Sequence, residues 1–268
     1  MFNYIYLKIK TLAHRFELLR IAHKHNSKSN LPPYLFWKIL KNPRQYESLI
    51  IFSLFIRNKD KLELIDIGAN IGLFSASFEK FFNNIKCIHL FEPHKILNDQ
   101  IESRVRSSKK IYNYLLASNK HKRKIYFDQE HLEFSSAYKY TDSSNKLFKS
   151  KNLKTKNLIT RKLDDFYRNL NDDTFKIMKI DTQGMEYEIL KGSSKILKSI
   201  SLIKIECSFA SEFKEQDPSF PKICSILQKS DFYPIHFEFY SNEISYLAFE
   251  RDVIFVKKNY LDFLYLDN

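Results

Sequence analysis

From Lys61 onward the chain alternates short apolar runs with amphipathic stretches. The runs are Leu62–Ile67, Ile85–Phe91, Ile111–Ala117, Phe175–Ile180, Leu202–Glu206, Tyr233–Phe239 and Val253–Val256. Several are nearly continuous in Ile, Leu, Val and Phe, the pattern of strands covered on both faces. Periodicity predicts helices over 73–82, 95–106, 185–198 and 220–229. Strand–helix alternation of this kind predicts an α/β fold built on a doubly wound, mostly parallel sheet. The last two runs lack a helix between them, so an antiparallel strand is expected at the end of the sheet, near the C-terminus. Residues 119–160 are polar and rich in Lys and Ser, with only short β-like pieces. A segment that long reads as a functional loop or as disorder.

Before Lys61 the texture differs. Residues 1–25 are helical in pattern, a polar break and Pro32-Pro33 follow, and 34–58 form a second helical stretch interrupted at Pro43. The division expected is a basic helical N-terminal appendage over 1–59 and an α/β domain over 60–268. Residues 1–59 hold eleven Lys and Arg against Glu17 and Glu47, a net +9 of the chain's +13. Charge of that sign invites a nucleic acid, an anionic substrate or partner, or peripheral contact with a membrane surface. The nucleic-acid reading is disfavoured, because Lys109-Lys110 and Lys120–Lys124 lack the interleaved aromatics of a stacking platform. Phe36, Trp37 and Leu40 need burial, so capping of the sheet or a dimer contact weighs equally with recruitment. No run is apolar enough to span a bilayer, and Lys8, Lys10, His14 and Arg15 break any signal-peptide core, so a cytoplasmic protein is expected.

Cysteine and glycine usage narrows the chemistry. Cys87, Cys207 and Cys224 have no paired spacing, so reduced and mostly buried thiols are expected, with neither a disulfide framework nor a zinc site. The chain has only four glycines: Gly68, Gly72, Gly184 and Gly192. They fall in two short segments, which marks both as places where the backbone cannot carry a side chain.

The first segment, Leu62-Glu-Leu-Ile-Asp-Ile-Gly-Ala-Asn-Ile-Gly72, is a strand entering a glycine loop and then a helix. Such a loop brings backbone N–H groups and a helix N-terminus to one point, where a ligand can sit. The next strand ends in Leu90-Phe91-Glu92-Pro93, and an acid at that tip can accept both hydroxyls of a ribose. A dinucleotide would call for G-x-G-x-x-G, whereas this loop is G-x-N-x-G with Asp66 two residues ahead. Asp66 suits an ammonium group, and equally a cap on the loop's own amides. A nucleotide-binding oxidoreductase is therefore the weaker reading, and a binding-only module is a third.

The segments IDIGANIG, LFEP and IKIDTQGMEYEILKG together resemble the FkbM family of S-adenosylmethionine-dependent methyltransferases. TRKLDDF at 160–166 and RDVIFV at 251–256 extend the resemblance over about residues 60–257. It implies a Rossmann-like class I methyltransferase sheet, S-adenosylmethionine as cofactor, and O-methylation, often of a sugar or a polyketide-type hydroxyl. The acceptor expected is a sugar hydroxyl of a bacterial surface glycan or its precursor, with nucleic acid or another small molecule as the alternative. The cofactor set expected is Asp66, Gly68, Ala69, Asn70, Gly72, Glu92, Pro93 and Ala117. One departure is plain: Gln183 stands where the family usually has Glu.

The second glycine segment follows the run Phe175–Ile180 and reads Asp181-Thr-Gln-Gly184. Ligands of doubly wound sheets lie outside the carboxyl ends of the strands, so Asp181 and Glu206 are expected to face the cofactor crevice. Methyl transfer to a hydroxyl needs alignment and a base. Asp181 is the first candidate and Glu206 the second. Glu186 is the third, with favourable charge at a helix start as its equal alternative. Asp181 also suits cofactor positioning, and a divalent cation held by Asp181 and Glu206 is a minority reading because no third ligand is evident. Ser135 and Ser136 are candidates to close over the ligand.

Overall fold

The computed structural model describes residues 16–18, 20–21, 43–57, 60–139, 153–167, 173–211, 217–238 and 250–261. The expectations for most of residues 1–42 lie outside these. Seven strands form the main sheet: β1 (Lys61–Ile67), β2 (Ile85–Phe91), β3 (Lys109–Tyr112), β7 (Thr174–Ile180), β8 (Ile200–Ser208), β9 (Phe232–Phe237) and β10 (Glu250–Lys257). Their order is β3-β2-β1-β7-β8-β10-β9. β1 pairs in parallel with both β2 and β7, so the chain reverses its winding there and leaves a crevice at the carboxyl ends. The expected antiparallel strand is β10, which lies one place in from the edge, between β8 and β9.

Alternate residues of each strand feed two cores, one on each face. Leu62, Leu64, Ile177, Leu202 and Ile254 pack with α1 (Pro43–Ser53) and α2 (Leu73–Phe81) through Leu49, Ile50, Phe52 and Phe78. Ile65, Ile67, Met178, Ile203 and Ile205 pack with α4 (Glu186–Lys191) and α5 (Phe220–Gln228) through Ile189, Leu190, Ile223 and Leu227. Burying such a side chain is worth about 1.5–3 kcal/mol, which is why the apolar runs fix the strand set. Of the helical stretch expected over 34–58, residues 34–42 lie outside the described residues, and Pro43–Ser53 is helical. The core containing α1 runs across the expected boundary at residue 59.

Two expectations need correction. Ile111–Ala117 is not one strand: β3 ends at Tyr112, and β4 (Leu115–Leu116) belongs to a second sheet. Asn113 makes the break, its Nδ2 donating to the Glu92 carbonyl at 2.8 Å and to Asn98 Oδ1 at 2.9 Å beside α3 (Asn98–Arg104). The polar segment 119–160 holds β5 (Lys122–Phe127) and β6 (Lys154–Arg161), antiparallel to each other, with 140–152 outside the described residues. Their outward Lys122, Lys124, Lys154 and Lys156 are exposed and hide the strand pattern. All three cysteines are free, and of them only Cys207 is fully buried.

Candidate active site

The loops leaving β1 and β7 touch backbone to backbone. Asp181 N donates to the Ile67 carbonyl at 3.1 Å. A Cβ on Gly68 would lie 1.8 Å from the Asp181 carbonyl oxygen, and its φ is +73°. Glycine is obligatory there on both counts. Gly192 is needed for another reason: a Cβ would lie 2.2 Å from the Ala117 carbonyl oxygen. It caps α4 and lets that helix press on the residue that follows β4.

A cavity of about 260 Å³ opens at these carboxyl ends. Of the expected residues, Gly68, Asn70, Glu92, Pro93, Asp181 and Glu206 line it, together with Ser135 and Ser136. Asp66, Ala69, Gly72, Ala117 and Glu186 do not. Asp66 is 0 % exposed beneath the loop. It accepts from Ser75 Oγ at 2.7 Å, and its other oxygen lies 3.4 Å from Lys179 Nζ. Gly72 packs against Val105 and Ile101 at the start of α2. Ala117 supports Gly192, and Ala69 is buried within the loop.

Glu92 binds the glycine loop to its neighbour. Oε2 accepts from Asn70 N and Oε1 from His94 N, both at 2.9 Å. Each oxygen keeps a lone pair for a further donor. Burial raises its pKa to about 7, against those two N–H bonds and the Lys179 charge. Glu186 is drawn inward: Oε1 accepts from Thr182 N at 2.8 Å and Thr182 Oγ1 at 2.9 Å, and Oε2 from Gly184 N at 3.0 Å. Burial lifts it to about 7 as well. Its carboxylate shapes the Asp181–Gly184 turn.

Asp181 and Glu206 meet across Gln183. The Gln183 Nε2 donates to Glu206 Oε2 at 3.0 Å and reaches Asp181 Oδ1 at 3.4 Å. Its left-handed backbone, φ 54°, turns the side chain back onto the strand ends. Ser136 Oγ fixes this turn from the other side by donating to the Gln183 carbonyl at 2.6 Å. Burial and the carboxylates of Asp181, Glu250, Asp252 and Glu186 hold Glu206 well above the usual carboxyl range. The Asp181 side chain is 40 % exposed to the cavity. Among the described residues no set of three carboxylates, His or Cys is placed to hold a metal ion.

Sequence reasoning missed Lys179. It is buried on β7, donates to the Gly68 carbonyl at 2.8 Å, and lies 3.3 Å from Asp181 Oδ2 and 3.4 Å from Asp66 Oδ1. Burial works against its charge, but Asp181, Asp66 and Asp252 outweigh that and raise its pKa. Two lysines, Lys176 and Lys179, within a buried strand were the available signal, and Lys179 is the one at its carboxyl end. The apolar wall of Leu115, Leu116 and Ile125, with Tyr114 beside it, was also missed, because it comes from two strands, β4 and β5, that only β6 brings into one sheet.

A family model described as "Methyltransferase FkbM domain" matches residues 66–233. Among solved structures, the chain is similar to magnesium protoporphyrin IX methyltransferase from Synechocystis PCC 6803 with bound SAH. That match has 9% identity and a TM-score of 0.44, covering 84% of this chain and 88% of that one. An S-adenosylmethionine-dependent methyltransferase from Clostridium acetobutylicum ATCC 824 aligns at 8% identity with a TM-score of 0.38, covering 84% and 96%. A comparison with curated protein sequences gives no match. No helix among the described residues is long and apolar enough to cross a membrane.

Proposed function

Since the chain belongs to the FkbM family and is an S-adenosylmethionine-dependent methyltransferase, we propose that it methylates a hydroxyl of a sugar, in a glycan or a glycan precursor, with Asp181 as the base. The observation that carries this reading is the acidic wall of the cavity, where Asp181 faces open space beside Glu206. A neutral hydroxyl can donate to such a wall. A phosphate or carboxylate there would be repelled, so any negative charge on the acceptor belongs away from the reacting end.

The residues present suit the cofactor. Glu92 retains acceptor capacity for the two ribose hydroxyls, the Gly68–Asn70 loop allows close backbone approach, and Leu115, Leu116 and Ile125 offer an apolar wall for a flat ring. When bound, the cofactor supplies an activated methyl group. Asp66 and Lys179 act from behind, holding the loop and Asp181 in place. Asp181 would take up the proton that the acceptor hydroxyl gives up when it is methylated. Glu206 is kept protonated to higher pH than an ordinary carboxyl, by burial first and by the neighbouring carboxylates. Gln183 suits this arrangement, because an amide donates to both groups where a third carboxylate would repel them.

The test is methyl transfer from isotopically labelled S-adenosylmethionine to nucleotide sugars, oligosaccharides, amines and nucleic acids, read by mass spectrometry. O-methylated sugar is the expected product. Transfer confined to amines or to nucleobases would overturn the reading.

A further inference from the structure

The amino half of β1 and β2 carries a second group of titratable side chains, away from the cavity. Glu63 and Cys87 are in register on these parallel strands. His89 lies two residues after Cys87, so both leave β2 on the same face. His89 Nε2 is 3.1 Å from Glu63 Oε1, and its Nδ1 is 3.3 Å from the Tyr112 hydroxyl. The Tyr112 ring stacks parallel to the imidazole at 6.0 Å, and the Tyr167 ring lies against it at 5.3 Å. Glu63, His89 and Tyr167 are buried, whereas Cys87 keeps an open side toward solvent.

The Tyr167 hydroxyl and the Cys87 thiol set this group apart. Tyr167 is nine-tenths buried, and its hydroxyl has no hydrogen-bond partner among the described residues. Burial first, then the nearby Glu63, Tyr112 and Cys87, keeps that hydroxyl protonated, so it is a donor waiting for an acceptor. At Cys87 burial opposes the thiolate, but the contact with His89 and the charge of Lys110 outweigh it and lower the thiol's pKa. The other two thiols go the opposite way. Burial raises Cys224, which is also partly open, and it raises the closed Cys207 further, with carboxylates adding to the effect. The thiolate is the nucleophilic form of cysteine. A reactant at Cys87 that also meets Tyr167 must be small, because the hydroxyl is closed to solvent. It must carry an oxygen that accepts from O–H and that a thiolate can attack. A peroxide meets both conditions.

We propose that Cys87 is a peroxide-reactive thiol, with His89 as its charge partner and the Tyr167 hydroxyl as donor to the peroxide oxygen. The thiolate sulfur forms a bond to one peroxide oxygen as the O–O bond breaks. Sulfur loses two electrons and the peroxide gains them. Cys87 becomes a sulfenic acid, and the departing hydroxide takes the His89 proton and leaves as water. The assignment is independent of which acceptor the cavity methylates.

The test is sulfenic-acid trapping with dimedone on the full chain exposed to hydrogen peroxide. Mass spectrometry of one digest reads all three cysteines together. Cys87 is expected to be trapped about tenfold faster than the partly open Cys224, and faster still than the buried Cys207. His89→Gln removes the imidazolium but keeps a polar side chain, and it is expected to slow Cys87 about tenfold. Tyr167→Phe removes only the hydroxyl and is expected to slow Cys87 about fivefold. Because that hydroxyl has no partner, Tyr167→Phe should leave the thermal midpoint unchanged. A lowered midpoint would assign the hydroxyl to the fold and overturn its role here. Should His89→Gln fail to fold, Tyr167→Phe and the comparison of the three cysteines decide. Equal trapping at Cys87 and Cys224, or a Cys87 rate that neither variant moves, overturns the proposal. So does a Cys87 that exchanges with oxidised glutathione yet resists peroxide, since the reactant is then a bulkier disulfide.

Discussion

Two buried ionic clusters occupy opposite ends of the same central strands. At the carboxyl end, Lys179 joins Asp66, Asp181 and the Gly68 carbonyl, and Glu206 stands beside them. At the amino end, Glu63 of β1 lies 3.1 Å from His89 Nε2 of β2 and 3.8 Å from Lys176 Nζ of β7, and accepts from Thr174 Oγ1 at 3.2 Å. Burial works against charge on His89, but its contacts with Cys87 and Glu63 outweigh that and raise its pKa. Both clusters contain perturbed groups, yet only the carboxyl-end one borders the cavity. Perturbation alone therefore does not mark function. A charge that keeps an open side toward a cavity does, and a charge enclosed by its partners serves the fold.

The comparison breaks most readily at Lys179. Replacing it by Met leaves Asp66 buried at 0 % exposure without its cation. Removing one partner of a buried pair costs about 3–5 kcal/mol. Urea unfolding of Lys179→Met is expected to show that loss. A cost below about 1 kcal/mol would mean that Asp66 does not depend on this lysine.

Asp181→Asn probes the open side. It keeps the shape and removes the charge, so turnover is expected to fall about a hundredfold or more, while folding and S-adenosylhomocysteine affinity change little. Near wild-type turnover from pH 6 to 9 would remove Asp181 as the base. Lost cofactor affinity would make it a positioning residue and pass the role of base to Glu206.

Glu63→Gln tests the enclosed end. Glutamine still accepts from Thr174, and His89 can give up its proton once the carboxylate is gone, so the cost is expected at about 1–2 kcal/mol. Cofactor affinity should not move. If calorimetry shows S-adenosylhomocysteine binding weakened tenfold, the two ends are coupled and the division fails.

The same division explains what the sequence disclosed. Apolar runs revealed β1, β2 and β7 because those strands are covered on both faces. β5 and β6 stayed hidden because one side of each carries exposed lysines. Gly68 and Glu92 were legible because a loop and a strand tip have local signatures. The Gln183 bridge and the charge of Lys179 shared between two loops were not, since they depend on residues brought together only by the sheet order. The pattern around Asp66 allows a contact with a ligand's ammonium group and a cap on the loop's own amides. Its local pattern could not reveal that Ser75 and Lys179 enclose it.

The smallest effect concerns Glu92, and here stability and binding run in opposite directions. Its pKa in the folded, ligand-free protein is about 7, raised above the ordinary 4.5 chiefly by burial. A carboxyl whose folded pKa is raised contributes stability that is fully present below about pH 4.5 and is lost as pH rises to about 7. Glu186, lifted to about 7 by the same cause, adds a slope of the same sign. Ribose hydroxyls donate best to the ionised carboxylate, so cofactor affinity should instead rise through pH 7 and then level. Where binding requires the ionised form, affinity changes about tenfold per pH unit below the pKa, so S-adenosylhomocysteine is expected to bind roughly tenfold more weakly at pH 6 than at pH 8. Glu92→Gln sets an amide donor against the Asn70 or His94 N–H and weakens binding at every pH. The informative quantity is therefore the ratio of affinities at pH 6 and pH 8, which cancels that loss. The ratio should collapse toward one in the variant, which also separates Glu92 from titration of the ligand's own groups. A wild-type affinity that is flat from pH 6 to 8 would show that Glu92 does not receive the ribose, and would return it to the enclosed class with Glu63.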